Sequence, residues 1–222
     1  MSVWAILVAA GRGERLGLDQ PKAFAKLGED PLLAEPLRRL DDSEWIDGIV
    51  VVVPADWEEP AILLAEELGC GKANACVTGG GTRTDSVRAG LAEIPEDALV
   101  VLVHDAARPL VTEAVIERVL APLSEGWDGV VPGLLVADTL KRVGADGGVL
   151  ETVARDALYA VQTPQAFPAD VLRRALAGDG EASDCAGLVE AAGGRVRVVE
   201  GDPHLMKVTT TDDLAKIASW LA

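Results

Sequence analysis

The chain predicts a three-layer α/β fold built on a mostly parallel, twisted sheet. Three observations carry this. Apolar, β-branched runs at Val3–Ala9, Gly48–Val53 and Leu99–Val103 have the continuous hydrophobicity of strands covered on both faces. Segments with helical apolar spacing separate them, the alternation of a parallel sheet joined by crossover helices. No repeat, low-complexity tract or linker divides the 222 residues, a length ordinary for one α/β domain, so residues 1–222 read as a single domain.

The first strand, Val3–Ala9, runs into a loop with Gly11, Gly13 and Gly17, whose small residues let main-chain N–H groups approach an anion closely. From Arg12 to Lys26 there are four basic residues against two acidic ones, in a chain whose net charge is −16. A basic loop on an acidic protein is a selective anion site rather than a generally sticky surface. Pro21 stiffens the backbone before Lys22 and helps to aim it. The loop is not a P-loop, because neither Gly11 nor Gly13 has Gly-Lys at the required offset. It is not a dinucleotide fingerprint either: Leu16 stands at the third glycine position, and no acidic residue closes the next strand.

Pro31–Leu40 has helical apolar spacing, with Pro36 near its first turn or kinking it, and Gly48–Val53 is the second strand. Asp56–Leu68 reads as a helix stopped by Gly69. A short strand, Ala75–Thr78, leads into Gly79-Gly80-Gly81, after which Thr82 or Thr84 caps a helix that sets Ser86 beside the glycine turn. Leu99–Val103 ends in His104-Asp105-Ala106-Ala107-Arg108-Pro109. Ligands of open α/β sheets lie beyond the carboxyl ends of strands, so Asp105 there reads as a ligand for Mg²⁺ or a hydroxyl, with an Asp105–Arg108 brace as the structural alternative. Thr112–Leu123 is helical and Gly129–Pro132 is a strand. Residues 136–161 alternate around Gly144–Gly148 as a protruding β-hairpin arm, of the kind that reaches a partner subunit. Two further helices, a strand at Arg195–Glu200 and a closing helix capped by Thr210 or Thr211, with Asp213 in its first turn, complete the chain.

Composition narrows the function. A pI near 4.4 argues against nucleic acid and anionic membrane surfaces as partners. No apolar run approaches the ~20 residues of a membrane span, and the N-terminus lacks the marks of a signal peptide, so a cytoplasmic location is expected. Cys70, Cys76 and Cys185 form no C-x-x-C, and His104 and His204 are the only histidines. No zinc site or disulfide framework is readable, and three buried thiols are expected.

Read together, Ala9-Ala10-Gly11-Arg12-Gly13-Glu14-Arg15-Leu16, Pro21-Lys22, Gly79-Gly80 with Arg83 and Ser86, and His104-Asp105-Ala106-Ala107-Arg108-Pro109 resemble the 2-C-methyl-D-erythritol 4-phosphate cytidylyltransferases. Asp138-Thr139-Leu140-Lys141, Thr163-Pro164-Gln165-Ala166-Phe167 and Lys207-Val208-Thr209 extend the likeness, in order, over nearly the whole chain. The resemblance implies a nucleotide-diphospho-sugar transferase (Rossmann-like) fold, a homodimer formed through the arm with shared active sites, Mg²⁺, and transfer of CMP from CTP to a polyol phosphate. It implies that Arg15 and Lys22 contact the triphosphate and transition state, in the loop that holds Gly11 and Gly13. Ala10, Gly79, Gly80, Gly81 and Ser86 would read cytosine. Asp105 and Lys207 would sit at the acceptor, with Ala106 and Thr163 in the same substrate-binding motifs. Arg108, Thr139 and the catalytic Arg155 would grip the acceptor phosphate from the other subunit. The sequence departs from the family pattern at Gly81, where an acidic or polar residue is frequent, at Cys185, where a second acid is usual, and at Leu205, where Asn is common. Ribitol-5-phosphate cytidylyltransferase shares most of these motifs; a nucleotidyltransferase using another base or a sugar 1-phosphate, and an inactive nucleotide-binding regulatory module, are the remaining readings.

The chemistry suits the residues. A phosphate monoester is already a nucleophile, so no Ser, Cys or His triad is required. Positioned cations serve phosphoryl-type transfer.

Overall fold

The structure, a computed structural model, describes every residue except Met1, Arg12, Glu14, Arg15, Leu18, Asp179 and Ala222. Twelve strands are described: β1 (Val3–Val8), β2 (Lys26–Leu27), β3 (Asp30–Pro31), β4 (Gly48–Val53), β5 (Ala73–Thr78), β6 (Val100–Asp105), β7 (Gly129–Leu135), β8 (Leu140–Val143), β9 (Val149–Val153), β10 (Tyr159–Val161), β11 (Gln165–Pro168) and β12 (Val196–Glu200). The helices are α1 (Ala34–Asp42), α2 (Glu58–Leu68), α3 (Arg83–Ala92), α4 (Glu113–Leu120), α5 (Ala169–Leu176), α6 (Cys185–Ala191) and α7 (Thr211–Leu221).

The main sheet has the order β10-β7-β11-β6-β1-β4-β5, with β12 along β7. β5, β4, β1 and β6 run parallel, as do β7 and β12, whereas β10 and β11 return antiparallel. Period-two alternation divides the apolar strands between two cores. Ala5, Leu7, Val51, Val53 and Leu102 face α1, α2 and α4. Ile6, Val50, Val52, Val101 and Val103 face α3, α5 and α6. This makes three layers and explains why β4 is buried at every position. A third cluster seats Ile217 of α7 on Leu27, Leu32, Leu110 and Val208.

Several boundaries differ from the expectation for reasons visible in the backbone. α1 begins at Ala34 rather than Pro31. Leu32 and Leu33 donate to the carbonyls of Ala25 and Ala23, and Pro31 pairs with Lys26, which holds the segment out of the helix. Pro36 then falls in the first turn, where a missing N–H costs nothing. β6 continues to Asp105 because Leu7 pairs with His104 and Val8 with Asp105. The helix expected to reach Leu123 leaves α geometry at Leu120, just before Pro122, and continues as a 3-10 turn to Glu125. Gly69 does stop α2, in the left-handed conformation at φ 70°.

Residues 136–161 contain a separate two-stranded sheet of β8 and β9, turning through Gly144–Gly148. β10 then re-enters the main sheet against β7. The arm and its root expose Leu135, Val143, Val149, Leu150 and Tyr159, an apolar surface with no cover in the single chain.

Candidate functional site

Loops leaving β1, β5 and β6 remain stitched to neighbouring strands. Ala9 N–H donates to Val52 O at 2.7 Å, Gly79 N–H to Val53 O at 2.7 Å, and Ala106 N–H to Val8 O at 3.0 Å. Their carboxyl ends open into a cavity of about 840 Å³. Its wall comprises the first loop with Lys22, the glycine turn with the start of α3, the end of β6, and Lys207.

The glycines have distinct reasons. Gly13 has φ +69°, and a Cβ there would lie 2.5 Å from the Lys22 Cβ, so the loop closes directly on the lysine stem. At Gly79 a Cβ would meet Ala10 Cβ at 2.4 Å, and at Gly80 it would meet Asp85 Cβ at 2.2 Å, which packs the second loop against the first and against α3. Gly11 and Gly81 face open space, so nothing crowds a larger residue at position 81. Thr82, not Thr84, caps α3. Its hydroxyl accepts from Asp85 N–H, and Asp85 returns a bond to Thr82 N–H, which aims the free amides of the first turn at the cavity. Ser86 is buried and donates its hydroxyl to Thr82 O, leaving oxygen lone pairs as acceptors.

Asp105 is the acidic residue among the described cavity residues. Its Oδ1 accepts from Arg83 Nε at 3.0 Å and its Oδ2 from Lys207 Nζ at 2.6 Å. Burial alone would push this carboxyl up, but the charges of Arg83 and then Lys207 outweigh it and hold it well below the usual carboxylate range. Arg83 also donates from Nη1 to Cys185 Sγ at 3.6 Å. Its Nη2 is buried 3.0 Å from Asp105 Oδ1 yet lacks hydrogen-bond geometry. Lys22 Nζ donates to Val208 O at 3.1 Å, one residue beyond Lys207.

The structure brings together Ala10, Gly11, Gly13, Lys22, Gly80, Gly81, Ser86, Asp105, Ala106 and Lys207, with Gly79 wedged behind the wall. Arg15, expected at the triphosphate, lies outside the described residues, as does Arg12. Four expected substrate contacts do not line this chain's cavity. Thr163 is buried under it, its hydroxyl taken by Asp105 N–H and His104. The Arg108 guanidinium holds Leu205 O and Val161 O rather than the Asp105 carboxylate, so the two residues brace the turn only through Arg108 N–H on Asp105 O at 2.9 Å. Thr139 and Arg155 are exposed on the arm. Both Asp105 oxygens receive a cationic donor, and the described residues contain no cluster of three acidic, His or Cys groups, so a Mg²⁺ at Asp105 would need CTP phosphate oxygens for its remaining ligands. Of the three thiols only Cys185 is buried. Cys70 and Cys76 are half-buried and pushed up to about 11, chiefly by burial, which leaves them poor nucleophiles. Sequence reading missed Arg83 as the partner of Asp105; its place one residue after the α3 cap, at the glycine turn, was the available signal.

A cationic cavity at the carboxyl ends of parallel strands, approached by glycine loops and a capped helix, defines a nucleotide-dependent phosphoryl-type transferase. The sequence model of one family, 2-C-methyl-D-erythritol 4-phosphate cytidylyltransferase, matches residues 3–222. The chain belongs to this family. A relative so named from Nocardia farcinica is 50% identical over 213 residues, covering 96% of this chain and 91% of the relative. One from Saccharopolyspora erythraea is 48% identical over the full length of both. The crystal structure of 4-diphosphocytidyl-2C-methyl-D-erythritol synthase from Anaerococcus prevotii superposes with a TM-score of 0.84 at 27% identity, covering 99% of this chain and 98% of that one.

Proposed function

We infer that the protein transfers CMP from CTP to 2-C-methyl-D-erythritol 4-phosphate, giving 4-diphosphocytidyl-2-C-methyl-D-erythritol and pyrophosphate in the non-mevalonate isoprenoid pathway. The carrying observation is a cavity lined by three cations, Lys22, Arg83 and Lys207, the last two bonded to its carboxylate Asp105, with no activated hydroxyl or thiol among its described residues. An acceptor phosphate oxygen attacks the α-phosphorus, and the bond to pyrophosphate breaks with its electron pair leaving on pyrophosphate. Lys22 holds charge that grows on the transferring phosphate and leaving group, while Asp105 fixes Lys207 toward the acceptor. The backbone of the glycine turn reads the base edge, and the Ser86 oxygen accepts from an exocyclic amine, which cytosine has and uracil lacks. Family membership disfavours the ribitol-5-phosphate and inactive-module readings.

Mg²⁺ would be held by CTP phosphate oxygens, because the chain presents no cluster for it among the described residues. When bound it neutralises phosphate charge. The same reading places the enzyme in the cytoplasm, a compartment suited to three free thiols, and no described helix is long and apolar enough to cross a membrane. Pyrophosphate release is expected to require CTP, the polyol phosphate and Mg²⁺ together. Equal turnover with UTP or ATP would overturn the base assignment, and full activity in excess chelator would remove the metal.

The exposed apolar arm and the placement of Thr139 and Arg155 away from this chain's cavity support a homodimer in which each arm completes the partner's site. Mixing Lys22→Ala and Arg155→Ala subunits, each inactive alone, would then return activity. Random pairing makes half the dimers mixed with one good site of two, so roughly a quarter of wild-type activity is expected for a two-fold dimer. Background activity after co-refolding, with mixed dimers confirmed by differently tagged chains, would rule out the shared site.

A further inference from the structure

Beneath the cavity the chain forms a closed circuit of hydrogen bonds. Asp105 N–H donates to Thr163 Oγ1 at 3.0 Å. The Thr163 hydroxyl, 3.0 Å from His104 Nδ1, has its proton free to donate there. His104 Nε2 lies 3.0 Å from Arg108 O, an oxygen that can only accept, so Nε2 carries the proton. Arg108 Nη1 donates to Leu205 O at 2.6 Å, and two residues on, Lys207 Nζ closes the circuit on Asp105 Oδ2 at 2.6 Å. With Nε2 donating to Arg108 O and the Thr163 hydroxyl donating to Nδ1, every link has its donor and acceptor in order when His104 is a neutral imidazole in the Nε2–H tautomer. Full burial, which pushes its pKa down to about 4, agrees.

The circuit answers a specific gap in the sheet. The antiparallel ladder between β11 and β6 begins at Gln165 opposite Val103, two residues short of Asp105. Asp105 N–H would lose a partner there, and the Thr163 hydroxyl replaces it. The hydroxyl is oriented in turn by His104, whose other nitrogen fixes the carbonyl of the residue that holds Leu205. Two chain segments that present the acceptor-side pair, the end of β6 and residues 205–207, are thereby held in one geometry through a single imidazole. The CTP side meets the circuit at Arg83 on Asp105 Oδ1 and at Lys22 on Val208 O, contacts that do not pass through His104, Thr163 or Arg108.

We propose that His104 is a positioning residue for the polyol phosphate end of the reaction, acting through Thr163 and Arg108 on the Asp105–Lys207 pair; this rests on the cytidylyltransferase reading above. His104→Phe is expected to raise KM for the polyol phosphate about 10-fold, the effect of one buried hydrogen bond left unmade, while KM for CTP stays within about two-fold. Thr163→Val, nearly isosteric, is expected to act in the same direction, and the double variant to be no worse than the larger single one, because both break one circuit. Parallel rises in both KM values, or additive losses, would overturn the proposal. Nitrogen-15 spectra of the wild-type imidazoles, assigned with His204→Gln, are expected to show a neutral Nε2–H ring at pH 7 for His104; a Nδ1–H ring or an imidazolium would break the circuit irrespective of turnover. If wild-type protein turns over no polyol phosphate, the cytidylyltransferase reading fails, while the spectra still decide the hydrogen-bond order. If His104→Phe does not fold, Thr163→Val carries the kinetic test.

Discussion

Replacing Lys22 with Ala is expected to lower kcat by ~100-fold to ~1000-fold, the loss that follows removal of one donor aimed at developing charge. The stem of Lys22 lies flush against Gly13, and its ammonium is held at Val208 O, at the rim it shares with Lys207. A cation placed before substrate arrives needs little reorganisation when charge grows on the transferring phosphate. Its effect therefore belongs to the transition state more than to the ground-state complex. Steady-state kinetics with CTP varied at saturating acceptor separates the two: normal kcat with only a raised KM would contradict the assignment.

Asp105→Ala is expected to cost about 3 kcal/mol of folding stability, the low end for breaking a buried ion pair, since Lys207 keeps 38% side-chain exposure. Arg83, with 24% exposure, retains a thiol partner in Cys185 but loses its carboxylate. Denaturant unfolding of wild type and variant measures the difference; an unchanged midpoint would show that the pair is solvated. The pH dependence carries the same signature. Asp105 has a folded pKa below its unfolded value, so its contribution is full above ~4 and is lost as pH falls below that. His104 is also depressed, to about 4, so the unfolded chain takes up its proton first and stability declines as pH falls from ~6.5 towards 4. Wild type should thus weaken in two stages on acidification, and Asp105→Ala should show a smaller lower one, to which Asp213, held down to about 2 by the Thr209 hydroxyl and backbone amides, still contributes.

What the sequence made legible was local. Uninterrupted apolarity located β4 to the residue, the left-handed tolerance of glycine ended α2 at Gly69, and the pair Thr82 and Thr84 marked the start of α3 without deciding which of them caps it. The two loops of the cavity were readable because glycines and small residues are needed wherever backbone approaches backbone. The charge pairing was not. Asp105 meets Arg83 across 22 residues and Lys207 across 102, distances at which no periodicity links the partners, and the nearer Arg108 was the natural guess. The family motif Thr163-Pro164-Gln165-Ala166-Phe167 put Thr163 among the substrate contacts; its burial and the gap in the ladder opposite Asp105 occupy its hydroxyl with Asp105 N–H and His104. The arm was visible from alternation around Gly144–Gly148, but its isolation from the main sheet follows from pairings that only the folded chain reveals.

The separation of 102 positions from Asp105 to Lys207 also sets an order of assembly during synthesis. At about 5 to 20 residues per second, translation delivers β1, β4, β5 and β6 roughly 5 to 20 s before Lys207 is made. Through that interval the nascent chain holds everything described of the nucleotide loops, while the Asp105–Arg83 pair waits for its second cation. The segment that supplies it is anchored from both sides, by Val208 N–H on Ala107 O and by Ile217 of α7 packed with Val208. The second cation of the pair is therefore acquired after the sheet strands β1, β4, β5 and β6, and a polypeptide cut short before α7 would keep Val208 N–H on Ala107 O but lose the packing of Ile217 on Val208 beside Lys207.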